Sequence, residues 1–265
     1  MRRSKFKVIS LLLLTFIFNV VAIAQDGVIS TVVQSFRVDP IGNCYFQKGT
    51  DIIRRSASSG AEVRFSMKDL GNPSSYDVNN PMRILVFYAD FAIIRVLDNN
   101  LVLQSEIQLR QLGILQPRVI AGSPDQGIWI FDEISGTLVK LDTRLGNIAN
   151  TVDLNQLLGK RPLPTELIAN QNWIVLAEKE ELQIFDQFGT RVRSVKLKTP
   201  TRTLMLLENE IVFSEDNQLV TIQLRTGISG YKPIPCNVNA DHFILQKDQC
   251  WMQFGTSLFC SPATY

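Results

Sequence analysis

The chain has 265 residues, of which 45% are hydrophobic, with 27 Lys and Arg against 25 Asp and Glu. Four of the basic residues and none of the acidic ones fall within positions 1–24, so the rest of the chain has 23 basic against 25 acidic side chains, a net charge of −2. Without an excess of positive charge to attract phosphate backbones, nucleic acid is excluded as a favoured partner.

The first residues predict a secretory signal peptide. A basic start precedes an apolar run over residues 8–21, and small residues follow at Ala22 and Ala24, as in an exported leader cleaved after Ala24. The alternative is an uncleaved membrane anchor, for which the apolar run is short. We therefore expect a signal peptide over 1–24, a single mature domain over 25–265 in the periplasm, and at most peripheral contact with the membrane.

The chain has four cysteines, which in an exported protein could pair in three ways. Cys250 and Cys260 lie on adjacent predicted strands, so they could pair, and Cys44 would then pair with Cys236. The alternative is buried thiols, because a domain of this size does not need disulfides to be stable.

A repeated unit organises the rest of the chain. Residues 127–142, Gly-Ile-Trp-Ile-Phe-Asp-Glu-Ile-Ser-Gly-Thr-Leu-Val-Lys-Leu-Asp, predict two short strands joined by a polar turn. Five related units occur, most of them with four short strands. The first apolar residue of the third strand recurs at intervals of 37 to 45 residues, at Ile52, Ile93, Leu138, Leu182, Leu219 and Leu258. A four-stranded unit of about 40 residues is typical of propeller blades.

The ends of the chain predict how the ring closes. The last unit stops after three strands, and the strand near residues 28–33 has no unit of its own. We therefore predict an all-β, six-bladed β-propeller in which the N-terminal strand of the mature chain completes the sixth blade. The alternative is a β-sandwich or two small β domains.

The repeats resemble those of secreted bacterial propellers of the NHL/YncE-like kind. The pattern Ile-Trp-Ile-Phe-Asp…Leu-Val-Lys-Leu-Asp, with Leu-Gln-Ile-Phe-Asp-Gln-Phe-Gly in the next unit, is similar to that of periplasmic propellers of the Bacteroidota cell envelope. The resemblance covers nearly all of the mature chain, and it implies a fold and no particular activity. It implies a protein or peptide partner, such as an outer-membrane export or assembly machine, including the type IX secretion translocon.

No catalytic or metal-binding pattern stands out. The single histidine, His242, rules out a site with several histidines, and we expect it to lie in the core or the central channel. Asp132, Asp142 and Asp186 follow strands and could supply paired carboxylates, but an Asp after a strand more often caps a turn. We predict no metal, no cofactor and no enzymatic activity.

Two groups of residues are candidates for binding. Trp129, Trp173 and Trp251 fall on second strands of three units and could form an aromatic ring that grips a peptide, although packing between neighbouring blades is the more frequent role. Arg191 and Arg193 make an outer strand of the fourth unit basic. They could contact an acidic partner or merely prevent edge pairing.

The predicted function is a monomeric periplasmic propeller that docks a protein partner in the cell envelope. The alternatives are a hydrolase or lyase with its site in the central channel, or a binder of a small ligand such as a sugar. Three or more carboxylates or arginines in the channel would favour the enzyme. Apolar and small polar groups there would favour docking.

Overall fold

A computed structural model describes residues 27–30, 32–237 and 239–263 of the chain. The predicted signal peptide and its cleavage point lie outside these residues. Six four-stranded antiparallel sheets follow one another around a central axis, so the predicted six-bladed propeller is confirmed. In the described ranges, no helix combines the length and the hydropathy that a membrane crossing requires.

The first half of the ring consists of three blades, after a leading strand β1 (Gly27–Ser30). Blade 1 contains β2 (Ser35–Val38), β3 (Cys44–Lys48), β4 (Asp51–Arg55) and β5 (Glu62–Ser66). Blade 2 contains β6 (Ser75–Asp77), β7 (Ile84–Tyr88), β8 (Ile93–Leu97) and β9 (Leu103–Gln108). Blade 3 contains β10 (Pro117–Gly122), β11 (Ile128–Asp132), β12 (Thr137–Leu141) and β13 (Asn147–Asn150).

The second half of the ring completes the propeller. Blade 4 contains β14 (Glu166–Ala169), β15 (Trp173–Ala177), β16 (Glu181–Asp186) and β17 (Arg191–Lys196). Blade 5 contains β18 (Leu204–Leu206), β19 (Glu210–Glu215), β20 (Gln218–Gln223) and β21 (Ser229–Pro233). Blade 6 contains β22 (His242–Gln246), β23 (Gln249–Phe254) and β24 (Ser257–Pro262). A 3₁₀ turn (Leu109–Leu112) and the short helix α1 (Leu154–Leu158) lie in the connections that follow blades 2 and 3.

The second and third strands of the blades are buried on both faces. Every residue of β7, β11 and β15 is buried, and a strand buried on both sides reads as a continuous apolar run. The outer strands β9 and β17 are mostly exposed. Each sheet is thus covered on both faces by its neighbours, and its outer strand is exposed to water.

Six apolar clusters fill the six spaces between blades. One joins blades 2 and 3 around Ile94 and Ile130, and another joins blades 6 and 1 around Leu258 and Phe36. The other four occupy the remaining interfaces in the same way. The hydrophobic core is therefore a set of layers arranged radially around the axis.

The ring closes through the leading strand. β1 pairs antiparallel with β24, with Gly27 opposite Cys260 and Val28 opposite Phe259, and this makes β1 the outermost strand of blade 6. The predicted closure is confirmed. Val33, just after β1, is fully buried in the layer between blades 6 and 1, so the connection as well as the pairing ties the two ends together.

The propeller has two distinct faces because consecutive strands are antiparallel. One end of every blade carries the turns after the second strand together with the blade-to-blade connections, and we call this end the mouth face. The turns of residues 89–92 and 133–136 and the connections of residues 109–116 and 151–165 lie there. The opposite face carries the turns that follow the first and third strands.

The pairs Cys250–Cys260 and Cys44–Cys236, which the sequence made plausible, do not form, because the structure has a disulfide between Cys236 and Cys250. Cys260 lies opposite Trp251 in the β23–β24 ladder, so it shares a face of blade 6 with Trp251, whereas Cys250 points to the other face. Cys44 lies in the layer between blades 6 and 1, and Cys236 packs on the layer between blades 5 and 6. Blade 6 therefore separates both pairs that the sequence suggested.

We expect loss of β1 to open the ring. A chain that begins at Val32 should unfold at a lower temperature than a chain that begins at Gly27, because the outer edge of β24 loses its partner strand. The shorter chain should also self-associate as its concentration rises, since an unpaired edge can pair with another molecule. Thermal denaturation followed by circular dichroism, with sedimentation velocity, measures both effects. Equal melting temperatures for the two chains would contradict this account of closure.

Candidate functional site: the central channel and its mouth

The inner strands of all six blades surround a central cavity of about 500 Å³. Most of its lining is apolar, including Val119, Ile168, Leu206 and Ile244. This volume lies within the range typical of sites for small ligands. The cavity is the central channel of the propeller, and its polar groups come from four of the six blades.

A salt bridge crosses the channel between opposite blades. Nη2 of Arg37, on β2 of blade 1, lies 2.8 Å from Oε1 of Glu166, the first residue of β14 in blade 4. Nη1 of Arg37 donates to the carbonyl of Phe36 at 3.1 Å. Burial acts to lower the pKa of Arg37, but Glu166, Tyr76 and Asp77 outweigh it and raise the pKa. The guanidinium is thus permanently charged inside a mostly apolar cavity.

Blade 2 contributes Asp77 and Tyr76 to the same cavity. The Asp77 carboxylate accepts hydrogen bonds from the backbone N–H groups of Asn79 and Gly122 at 2.9 and 3.1 Å. Burial raises the pKa of Asp77, opposed by these two N–H groups and by Arg37 and Arg83. Burial also raises the pKa of Tyr76, whose hydroxyl donates to the carbonyl of Tyr45 at 3.3 Å. Through its hydrogen bond with Gly122, the last residue of β10, Asp77 joins blade 3 to blade 2.

His242 begins β22 of blade 6 and lines the channel. Its Nδ1 lies 2.6 Å from the carbonyl oxygen of Arg202, and its ring meets Phe36 edge to face with centroids 5.0 Å apart. Because a carbonyl can only accept, Nδ1 carries the proton and Nε2 the lone pair. Nε2 is buried and has no hydrogen-bond partner among the described residues. Burial and the nearby Arg37 lower the pKa of His242 to about 4, so the ring is neutral at pH 7.

A second cavity, of about 580 Å³, opens on the mouth face between blades 2, 3 and 4. Val119 and Thr165 line both cavities, so the two adjoin. On its floor, Nη1 of Arg118 lies 2.7 Å from Oε1 of the buried Glu133, and Nε of Arg118 donates to the carbonyl of Pro164 at 2.8 Å. The mouth-face cavity and the central channel therefore share part of their lining.

Exposed apolar side chains stand next to the residues that line the mouth-face cavity. They are Phe91, Leu115, Ile134 and Leu163, which we call the apolar rim, and their exposed fractions are 45, 50, 59 and 53%. They come from turns and connections of blades 2, 3 and 4. The rim therefore presents hydrophobic surface to solvent around a polar floor.

The three tryptophans lie in the layers between blades. Trp129, Trp173 and Trp251 are 1, 7 and 5% exposed and belong to three different interblade clusters. Nε1 of Trp173 donates to Oδ1 of Asn209 at 3.3 Å. A binding role for these residues stays a prediction, and the geometry offers no exposed indole to support it.

The two arginines of β17 already make contacts inside the protein. Nε of Arg191 donates to Oε1 of Gln183 at 2.9 Å. The guanidinium of Arg193 lies against Gly227 of blade 5, where a Cβ atom would overlap it. A contact with an acidic partner therefore stays a prediction for both arginines, of which Arg193 also contacts blade 5.

The aspartates that follow strands cap turns. Oδ1 of Asp142 accepts from the backbone N–H groups of Arg144 and Gly146 at 2.9 and 2.8 Å, and Asp186 makes the equivalent pair of bonds. Asp132 accepts from the N–H groups of Gln116 and Ser135. These bonds confirm turn capping as the role of the three aspartates. Within the described ranges, no three His, Cys, Asp or Glu side chains are grouped so as to hold a metal ion.

Sequence reasoning found His242 but missed Arg37, Asp77 and Glu166. A signal was present, because Glu166 and His242 each begin an inner strand that is otherwise largely apolar. A charged or polar residue at the start of an inner strand lies near the channel mouth in this architecture. Arg37 gave no such signal, since it lies within β2 and its partner is 129 residues away.

Comparison with known proteins shows the fold and no family. No family model matches the chain, and no curated protein matches it. Among solved structures, a streptogramin B lyase is similar with a TM-score of 0.60 and 16% identity, over 86% of this chain and 78% of the lyase. A chain of the mitotic checkpoint complex is similar with a TM-score of 0.65 and 9% identity, over 100% of both chains.

A third similar structure comes from B. thetaiotaomicron. It is the extracellular domain of a putative hybrid two-component system, with a TM-score of 0.57 and 12% identity, over 88% of this chain and 34% of that chain. All three proteins share the propeller architecture with this chain. At these identities the likeness carries fold and not activity.

The prediction that the chain is not an enzyme is wrong as an inference from its fold, because similar solved structures include a streptogramin B lyase. The lining of the channel is not limited to the apolar and small polar groups expected of a docking protein, since Arg37, Asp77 and Glu166 all contribute to it. Three such charged groups meet the criterion that favours channel chemistry. Both the architecture and the charged lining of the channel are compatible with catalysis.

We expect His242 to make stability depend on pH. Its pKa of about 4 in the folded protein lies below the ordinary value near 6.5 of an unfolded chain, so the unfolded state takes up the proton first. This contribution is fully present above pH 6.5 and is lost as the pH falls towards 4. Urea unfolding at pH 7.5 and pH 5 should show wild type losing about 2 kcal/mol relative to His242→Gln. A constant difference between the two proteins would rule out a neutral buried imidazole.

Proposed function

We propose that this protein is an exported propeller that docks a segment of a protein partner on its mouth face. The observation that carries the proposal is the apolar rim around the mouth-face cavity. Its four members lie on three consecutive blades and are about half exposed. Exposed apolar groups gathered around a concave, polar-floored surface are typical of interaction sites.

The charges beside the rim define the partner further. Arg110 and Arg161 are exposed on this face, and Nη2 of Arg110 donates to the backbone carbonyl of Asp90 at 2.9 Å. Arg118 is already paired with the buried Glu133, and Nη2 of Arg161 lies 3.9 Å from Oε2 of the same side chain. The exposed arginines favour a segment that has acidic residues beside apolar ones.

The rigidity of the ring supports docking. Each blade is fixed by apolar layers on both faces, so its turns are held in place before a partner arrives, which lowers the entropic cost of binding. An address in the periplasm and a partner in an outer-membrane export or assembly machine, such as the type IX secretion translocon, belong to this proposal through the resemblance of the repeats. Arg191 and Arg193 on blade 4 form a second proposed contact for an acidic partner.

The test is affinity purification of the tagged protein from detergent-solubilised envelopes, followed by mass spectrometry. The double variant Leu115→Asp/Ile134→Asp should recover at least about tenfold less of the partner that wild type enriches, because two anchors of the rim become charged. Rim residues are exposed, so the variant should keep the circular dichroism spectrum of wild type.

The matched control is Val102→Asp/Ile228→Asp. Val102 and Ile228 are 55 and 68% exposed and lie in turns that follow third strands, on the opposite face. The control should recover the same partner as wild type. Equal losses in both double variants, or no envelope protein enriched by wild type, would overturn docking at the mouth face.

The charged channel favours a second candidate, chemistry on a bound ligand. Glu166 and the neutral His242 can each accept a proton beside the Arg37 cation, which is the arrangement that general base catalysis with charge stabilisation requires. Incubation with a streptogramin B antibiotic, followed by mass spectrometry and chromatography, tests the activity named for a similar structure. Consumption by wild type and not by Glu166→Gln is the expected result. Equal consumption by both proteins would place any activity elsewhere.

A further inference from the structure

The ion pair in the channel is only partly enclosed. The side chains of Arg37 and Glu166 are 34 and 28% exposed, and this exposure faces the cavity that both residues line. Arg37 makes two hydrogen bonds among the described residues, to the carbonyl of Phe36 and to Glu166. A guanidinium has five N–H donors, so several remain for a ligand.

Stability alone does not account for this pair. Taking two charges out of water costs more than a partly solvated pair returns, and apolar replacements are often as stable. The neighbouring side chains in the channel are largely apolar, and apolar side chains at positions 37 and 166 could have filled the channel without any charge. A ligand with one positive charge, one negative charge and an apolar side chain would require a site of this kind, with a cation and an anion side by side in an apolar cavity.

We propose that the central channel binds a free apolar α-amino acid as its zwitterion, with the carboxylate on Arg37 and the ammonium on Glu166. This inference is independent of partner docking, since it uses the channel and not the apolar rim. The class of ligand follows from charge balance. Asp77 also lines the cavity, but its carboxylate is held by the backbone N–H groups of Asn79 and Gly122, so Arg37 and Glu166 are the charges offered to a ligand. This pair is neutral overall, so a net cation or anion would leave one of the two charges facing a like charge, whereas a zwitterion satisfies both.

The geometry of an α-amino acid suits the pair. Its ammonium and carboxylate are attached to one carbon atom, so they lie side by side at a spacing similar to that of the Arg37–Glu166 contact. When the ligand lies antiparallel to the Arg37–Glu166 contact, its carboxylate faces Arg37 and its ammonium faces Glu166. The four charges then alternate in sign around a compact square. Arg37 can engage the carboxylate through two parallel hydrogen bonds, the strongest arrangement available to it.

The apolar lining completes the site. Ile168, Leu206 and Ile244 line the same cavity and offer an apolar surface to the ligand side chain. A cavity of about 500 Å³ has room for any single amino acid.

The test is isothermal titration of the mature protein at pH 7.5 with L-leucine, L-leucinamide and N-acetyl-L-leucine. L-Leucine should bind, and the two analogues, which each lack one charge, should bind at least tenfold more weakly. Arg37→Met and Glu166→Gln should each weaken L-leucine binding at least tenfold. Methyl NMR of the isoleucines should show shifts at Ile168 and Ile244 on addition of L-leucine, which places the ligand in the channel.

Controls separate loss of the site from loss of the fold. The double variant Arg37→Met/Glu166→Gln leaves no unpaired charge, so it should melt cooperatively like wild type and yet fail to bind L-leucine. Three results would overturn the proposal: no binding or methyl shift with L-leucine, L-phenylalanine or L-methionine; equal binding of L-leucinamide and L-leucine; or tighter binding of L-leucine by Arg37→Met. None of them bears on docking at the apolar rim.

Discussion

The structure depends on one constraint: each blade has two apolar faces, and both must be covered. A four-stranded sheet whose middle strands are buried on both sides, as β7 and β11 are, cannot be stable on its own in water. Stacking six such sheets in a ring covers every face, provided that the first and last blades meet. The pairing of β1 with β24 satisfies this condition and leaves only short outer edges exposed.

Closure of the ring also creates the channel. Inner strands from six blades converge on one axis, so side chains that are far apart in sequence become neighbours there. Arg37 and Glu166 meet because blades 1 and 4 are opposite each other. The same convergence surrounds them with apolar groups, which strengthens their interaction relative to water. A second ion-pair group lies away from the axis. The buried Arg95 of blade 2 pairs with Asp69, in the connection that precedes that blade, and with Glu106 on its outer strand.

Two surfaces of different character result from this arrangement. The apolar rim on the mouth face is open, spread over three blades and suited to a polypeptide. The channel encloses about 500 Å³, has Arg37, Asp77 and Glu166 in its lining, and is suited to a small molecule. They share Val119 and Thr165 in their linings, so the two proposed sites are neighbours. Similar solved structures include both an enzyme and a chain of a protein assembly, so the architecture serves both kinds of role.

The architecture could be predicted from the sequence, because a blade is a local unit. Strand order and the turn-capping role of Asp142 and Asp186 follow from patterns within about 40 residues. The completion of blade 6 by the first strand follows from counting strands, because the last unit lacks one and the first strand has no unit of its own. Only the tertiary structure decided the Cys236–Cys250 disulfide and the Arg37–Glu166 pair. The physical reason is that these contacts depend on the face of a sheet on which a side chain lies and on which blades are opposite. A repeat pattern specifies neither until the ring is closed.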